Sequence, residues 1–270
     1  MTKVIKLNII ENNALIRKVL TDYFKKFENI TYRFGDNENP VLFNRLSQYV
    51  SVGEDVLNND VLYNKYIILS GDRPDTLSYK LYGTTSYYWT FFLMNEHVRE
   101  SGWPISTYDL LDETKSRYPY RTITTNDDIS SKFPVGQVVT GQSSGTSGTI
   151  IRKIPDMGQL VIDTGTEPNL INFSQTEQIS YSDGDGNIQT AVLIKESEQF
   201  NSVHHYEDTD GVWQDLTLFD FGNPSVSWIP VTYRDRVERR NEQLKEIVVL
   251  KPSTVLGIAN QFSRLMSQRL

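Results

Sequence analysis

The sequence of 270 residues contains no cysteine and only three histidines. The absence of cysteine excludes disulfides and metal sites built on thiolates. Neither the P-loop pattern nor the G-x-G-x-x-G pattern of dinucleotide sites occurs. No apolar run approaches the ~20 residues that a membrane-spanning helix needs. The first residues, Met1–Lys6, contain no long apolar segment. We therefore expect no membrane contact and no secretory signal, and a chain made in the cytoplasm.

Positive charge is in the minority, with 27 Lys and Arg against 34 Asp and Glu and a net charge of −7. The sequence pI is about 5.1. Nucleic-acid surfaces need clustered Lys and Arg, so we expect no nucleic-acid partner. Aromatic residues, by contrast, are plentiful, with 15 Tyr, 12 Phe and 4 Trp. Such residues form either cores or protein interfaces, because they combine apolar area with a polar group.

Two patterns suggest a metal site, and neither is complete. The run Asp183–Asn187 has the alternating polar residues of a calcium loop, but Ile188 stands where glycine is needed and Ile194 where a bidentate Glu is needed. The neighbours His204 and His205 lie in an extended segment, where successive side chains point to opposite faces. We therefore expect their imidazoles to diverge, and we predict no metal site.

The segment Gly141–Gly145, which reads GQSSG, formally meets the hydrolase pattern G-x-S-x-G with Ser143 as the nucleophile. A nucleophile elbow requires a strand, a sharp turn and a helix. Here the flanking segments both have the composition of strands. We therefore predict no catalytic residues, no cofactor and no enzyme activity.

The central stretch, residues 66–104, has the clearest local pattern. It begins with a strand-forming run at 66–69, followed by a turn at Ser70-Gly71. A helix should start at Pro74 and end at Gly83, because proline fits the first helical position and glycine the left-handed residue after the last. A second, almost wholly apolar helix is predicted over 87–94, and the unit ends at 102–104.

Two family resemblances arise from this stretch. The run GDRPDTLSYKLYG is similar to the LysM module, a βααβ unit that often binds peptidoglycan. The longer series DRPDTLSYKLYG, YYWTFFLMNEH and GWP, with the later runs FNSVHHYEDTDGVWQDL and VSWIPVTYRDRVERRNEQLKEIVVLKPSTV, resembles a baseplate wedge subunit of contractile-tailed phages of the T-even type. This second resemblance covers about residues 60–120 and 200–270.

The rest of the chain adds flanking elements. We predict a strand over 4–10, an amphipathic helix over 13–27 and a polar linker over 122–128. Short strands separated by Gly, Ser and Thr fill 133–198 and indicate a small antiparallel barrel or sandwich. A hairpin turns at Asp208–Gly211, Thr232 and Asp235 form a capping box, and a strand at 247–250 pairs with 66–69.

The predicted fold is therefore α+β, with a LysM-like βααβ core, flanking helices and hairpin, and an inserted small all-β domain. We divide the chain into an N-terminal helical arm (1–60), the first part of the core (61–128), the inserted β-barrel-like domain (129–200), and the hairpin, strand and C-terminal helix that complete the core (201–270). The insert would occupy an exposed loop, since an antiparallel unit can bring its ends together.

The resemblance to wedge subunits implies a structural protein of the virion tail baseplate, assembled in the host cytoplasm. Its implied partners are other wedge proteins and the sheath initiator or hub-proximal proteins, with multiple copies in a symmetric assembly. The candidate partner-binding residues are Arg73, Tyr82, Trp103, Trp213 and Trp228. We expect Trp89 in the core and Trp103 nearer an interface. The alternative is a LysM-type peptidoglycan-binding protein with a groove beside 71–73.

Overall fold

In a computed structural model of the chain, the described residues are 3–5, 29–33, 39–44, 50–52, 54–165, 172–216 and 224–267. The helix predicted over 13–27 lies outside these residues. Of the strand predicted over 4–10, only the first two residues fall within them, and they are extended.

Helices and strands both contribute to the described chain. The strands are β1 (Lys3–Ile5), β2 (Asn29–Tyr32), β3 (Val41–Asn44), β4 (Val50–Val52), β5 (Tyr63–Ile67), β6 (Arg121–Thr125), β7 (Val138–Gly141), β8 (Ser147–Ile154), β9 (Gln159–Asp163), β10 (Gln178–Ser182), β11 (Ile188–Glu198), β12 (Val203–Glu207), β13 (Trp213–Gln214), β14 (Ile229–Thr232) and β15 (Glu246–Leu250). The α-helices are α1 (Glu54–Leu57), α2 (Pro74–Tyr82), α3 (Trp89–Met94), α4 (Glu96–Ser101), α5 (Thr107–Arg117), α6 (Tyr233–Lys245) and α7 (Pro252–Ser267). The predicted α+β class is confirmed, whereas the LysM-like character of the core stays a prediction.

The chain forms two compact units, of which the first comprises residues 1–107 and 240–270. Its central sheet pairs β5 with β15 in antiparallel register, from Tyr63 opposite Leu250 to Ile67 opposite Glu246. The predicted pairing of these two chain segments is confirmed, although β5 covers 63–67 and shares only Tyr66 and Ile67 with the predicted strand at 66–69. The α2 helix starts at Pro74 and is followed by Gly83 with φ of 70°, as the sequence predicts.

The β5–β15 sheet is apolar on both faces, because the side chains of β15 alternate between two cores. Ile247 and Val249 are buried with Leu77 and Phe91 against the helices on one face. Leu250 belongs to a second cluster that includes α7 residues. That cluster consists of Val56, Trp89, Met94, Leu250, Val255, Ile258, Ala259, Phe262 and Met266.

The second unit, residues 108–239, contains a closed antiparallel barrel in the order β10-β11-β6-β9-β8-β7, with β7 pairing back onto β10. The linker predicted over 122–128 is wrong at its start, because β6 is a barrel strand and Ile123 in it is fully buried. The segment is polar but rich in threonine, a β-branched residue that favours strands. The polar composition misled the sequence-based assignment.

The two ends of the barrel segment meet. The N–H of Gln199, directly after β11, donates to the carbonyl of Tyr120, directly before β6, at 2.8 Å. Beyond this point a three-stranded sheet follows in the order β13-β12-β14. The predicted capping box at the start of α6 is confirmed, since Thr232 N–H donates to Asp235 Oδ2 at 2.9 Å and Asp235 N–H donates to Thr232 Oγ1 at 3.0 Å.

Candidate partner-binding surfaces

Arg73 lies at the residue before α2, where the chain leaves the turn after β5. Its side chain is 78% exposed and its Nε lies 3.3 Å from a carboxylate oxygen of Asp75. An ion pair between two exposed side chains contributes little to stability. The guanidinium is therefore accessible to a partner without cost to the fold.

Trp103 is less accessible than the sequence suggests. It is half-buried, and its Nε1–H donates to the carbonyl of Asp72 at 2.6 Å. Its ring lies 5.9 Å from that of Phe91 and 5.7 Å from that of Phe92, centroid to centroid. Trp103 therefore helps to hold the turn before α2, and a role in binding partners stays a prediction. Trp89 is in the core as predicted, with 3% of its surface exposed.

Tyr82 has a structural contact at both ends of its side chain. The ring stacks on Phe91 at 6.0 Å, and the hydroxyl donates to the Leu250 carbonyl at 2.9 Å. Burial raises the pKa of the Tyr82 hydroxyl. This tyrosine is therefore half-buried and neutral, and only part of its ring faces solvent.

Asn95, which the sequence analysis did not single out, closes the outer edge of β15. Its Nδ2 donates to the Val248 carbonyl and the Val248 N–H donates to its Oδ1, both at 2.8 Å. The ring of His97 lies with Nε2 3.0 Å from the Glu246 carbonyl oxygen along the same edge. Asn95 is 4% exposed and acts as a side-chain substitute for a paired strand. An amide directly after the apolar run of α3 was the available signal in the sequence.

In the second unit, His204 and His205 do not diverge, so that expectation is wrong. Their Nδ1 atoms lie 3.0 Å apart. The pairing of β12 with β14 shifts register between Val203 and His205, which turns adjacent side chains towards each other. Arg236 Nη1 lies 2.6 Å from His204 Nε2, and His205 Nε2 lies 3.0 Å from Glu207 Oε1.

These contacts fix one directional set of hydrogen bonds. Arg236 can only donate, so His204 accepts at Nε2 and donates from Nδ1 to His205. His205 then donates from Nε2 to Glu207, which Arg239 also binds at 2.8 and 2.7 Å. Burial, followed by the charge of Arg236, lowers the pKa of His204 to about 4. The His204 imidazole is therefore neutral near pH 7.

Trp213 covers this group of side chains. Its ring stacks on His205 with centroids 3.8 Å apart and planes 16° apart. Trp213 is 50% exposed and Ile229 is 51% exposed. Both residues pair with Glu207 across the sheet, so the three lie on one face.

Trp228, another candidate partner-binding residue, is half-buried, and its backbone N–H donates to the carbonyl of Ser225 at 2.9 Å.

The remaining polar motifs are used by turns. Glu177 accepts hydrogen bonds from the N–H groups of Ser143 and Ser144 at 3.0 and 2.9 Å, and from the Ser144 hydroxyl at 2.8 Å. A Cβ on Gly141 would lie 2.6 Å from the Glu177 carboxylate, which explains glycine there. Asp183 likewise accepts from Asn187 N–H at 2.8 Å in the β10–β11 turn. GQSSG is thus a turn held by a carboxylate.

Among the residues that the structure describes, no group of three or more His, Asp or Glu side chains is arranged to hold a metal ion. Within the same residues, no helix combines the length and apolar character needed to cross a membrane.

Part of the chain matches a known protein family. Residues 22–135 match the phage family described as base plate wedge protein 53, which covers less than half of the chain. No curated protein matches the chain. The resemblance to baseplate wedge proteins, drawn from the sequence, is thereby confirmed over this region, whereas the resemblance to LysM is not.

Proposed function

We propose that this chain, a virion tail component by its match to the phage baseplate wedge proteins, is a structural subunit that joins wedge components and supports attachment of the sheath-initiating layer. The match over residues 22–135 is the observation that carries the proposal. The partners we propose are other wedge proteins and the sheath initiator or hub-proximal proteins. The subunit would be present in multiple copies in a symmetric assembly.

A non-enzymatic role accords with how the polar groups are used. The Ser144 hydroxyl is bonded to Glu177, and His205 is bonded to Glu207 beneath the Trp213 ring. Side chains that hold turns and strands together are not available for proton transfer to a substrate. We therefore propose that the chain acts through its surfaces alone.

Among the candidate partner-binding residues, Trp213 and Arg73 are the best placed. Interface energy concentrates in Trp, Tyr and Arg side chains that become buried on association. Trp213 is 50% exposed, and the Arg73 side chain is 78% exposed. Tyr82, Trp103 and Trp228 offer less free surface, and we propose secondary roles for them at the edges of such contacts.

The experiment is a titration of the purified chain against co-expressed wedge proteins. Trp213→Ala should weaken the complex by more than about tenfold, since truncating an interface Trp often costs ~2 kcal/mol. Tyr108→Ala is the matched control, because Tyr108 is an aromatic residue that is 90% exposed. Failure of the unaltered chain to bind any wedge protein would refute the proposed function. Equal binding by the two variants would refute only the role of Trp213.

Peptidoglycan binding is the alternative proposal, and it rests on the similarity of residues 71–83 to the LysM module. A pull-down with purified peptidoglycan should recover no more of this chain than of an unrelated acidic protein. Saturable recovery that is lost in Arg73→Ala would favour the LysM alternative instead, because that groove would lie beside residues 71–73.

A further inference from the structure

The two edges of the β5–β15 sheet differ. In an antiparallel pair, every second residue turns its N–H and C=O groups away from the partner strand. On β15 these outward groups belong to Glu246, Val248 and Leu250, because their hydrogen-bond partners are side chains rather than β5. Those side chains, from His97, Asn95 and Tyr82, close the edge.

The opposite edge is open. Lys65 pairs with Val248, so its own N–H and C=O point away from β15, and the same holds for Tyr63 and Ile67. The bond from Ile68 N–H to Lys245 O at 2.9 Å fixes this alternation. Within the described part of the chain, none of these outward groups has a hydrogen-bond partner.

The side chains at the open edge of β5 suit an additional, third strand. Ile67 is 64% exposed and Leu69 is 60% exposed. Lys65 is exposed, and no acidic side chain of the described residues forms an ion pair with it. A groove of about 550 Å³ lies over the same end of the sheet and extends to the β15 edge, since its lining includes Lys65 and Ile67 together with Asn95 and His97. Edge strands are usually protected against pairing, and here one lysine is the only evident protection among these residues.

We propose that β5 accepts an extended segment of another baseplate protein as a third strand, an inference that rests on the proposed function. Main-chain hydrogen bonds would supply affinity and alternate side chains would supply specificity. The incoming strand should place an acidic residue opposite Lys65 and an apolar residue opposite Ile67. The exposed charge and the exposed apolar side chain on one face of the edge define this pattern.

A second copy of the chain fits this edge less well. A two-fold pairing of β5 with β5 centred on Lys65 would place two lysines directly opposite each other, which destabilises a sheet. A different protein with an acidic residue at that position meets both the charge and the hydrogen-bonding requirement. The proposed occupant is therefore a heterologous strand.

Hydrogen exchange read at single amides, in the free chain and in purified tails, tests the inference. The N–H groups of Lys65 and Ile67 should exchange freely in the isolated chain and at least about tenfold more slowly in tails. The N–H groups of Asn64 and Tyr66, which face β15, should be protected in both and serve as internal controls. Equal exchange of Lys65 and Ile67 in both states would overturn the inference and leave the wedge function standing.

Two further outcomes are decisive. Absence of the chain from purified tails would overturn the inference together with the proposed function. Protection of Lys65 and Ile67 in the isolated chain at raised protein concentration would show that a second copy occupies the edge, and would overturn the heterologous strand.

A variant pair gives an independent measurement. Both variants remove the charged side chain of Lys65, but only Lys65→Pro also removes the outward N–H, and neither removes a bond to β15. In competition with the unaltered chain for incorporation into tails, Lys65→Pro should lose at least about fivefold more than Lys65→Ala. Equal incorporation of two folded variants would contradict the proposal. If thermal unfolding shows that Lys65→Pro does not fold, the exchange measurement decides.

Discussion

Replacing Asn95 by alanine should destabilise the first unit more than any comparable change on its surface. The Asn95 side chain makes three hydrogen bonds of 2.8 Å. Its Nδ2 donates to the carbonyls of Phe91 and Val248, and its Oδ1 accepts from the Val248 N–H. No other described group satisfies Val248 at that edge. In the Asn95→Ala variant, the N–H and the carbonyl of Val248 both lose their described protein partner.

The magnitude follows from the count of bonds. Each hydrogen bond contributes about 1 kcal/mol net, and a buried group left unsatisfied costs ~1–3 kcal/mol. Water can reach Val248, which is only half-buried, so the full penalty does not apply. We expect a loss of about 2–4 kcal/mol, which lowers the midpoint of thermal unfolding by roughly 6–15 °C for a unit of this size.

The control for this prediction is Asn64→Ala. Asn64 lies on β5 and is exposed, so its replacement should change the free energy of unfolding by less than about 0.5 kcal/mol. Both variants are measured by thermal and denaturant unfolding against the unaltered chain. If Asn95→Ala is as stable as Asn64→Ala, the account of the β15 edge is refuted, and with it the asymmetry between the two edges.

Three other predictions concern the second unit. Replacing residues 121–198 by a short Gly-Ser linker between Tyr120 and Gln199, which share a hydrogen bond of 2.8 Å, should leave a chain that still unfolds cooperatively; loss of cooperativity would contradict a separable barrel. Because the pKa of His204 is lowered from 6.5 to about 4, the unfolded chain takes up its proton first as pH falls, and stability should decline by ~1–2 kcal/mol between those values after allowance for partial exposure. The His204→Gln variant should lack that part of the decline. If the variant and the unaltered chain lose stability equally as pH falls, the role given to His204 is refuted. Glu177→Gln, which replaces one acceptor oxygen by a donor amide facing N–H groups, should cost ~2 kcal/mol, whereas the exposed Glu198→Gln should cost almost nothing; equal unfolding midpoints would refute the role given to the carboxylate.

Local signals in the sequence predicted α2, α3 and β15 of the first unit, but not β2, β3, β4, α1 or α4. Pro74 and Gly83 bound α2, and the apolar run at 247–250 identifies β15, because caps and strand-forming runs act over a few residues. The capping box at Thr232 and Asp235 is local in the same sense. These features depend on neighbours in sequence and are therefore readable from it.

Features that depend on distant residues were not predictable in the same way. Asn95 bonds to Val248, 153 positions further along the chain, and nothing in its own surroundings indicates that partner. The approach of His204 to His205 depends on a register shift between β12 and β14. Trp103 illustrates a third case, since its exit-loop position suggested an interface while its indole donates to Asp72 O. Residue type in the sequence therefore suggests candidate partner-binding residues, whereas their contacts could not be predicted from it.

Quantitative mass spectrometry of purified, salt-washed tails tests the central claim most directly. A structural wedge subunit should be present in a fixed whole-number ratio to the other wedge proteins, unchanged by repeated washing. A chain that is missing from the tails, or present in amounts that fall with each wash, would contradict its role as a baseplate subunit.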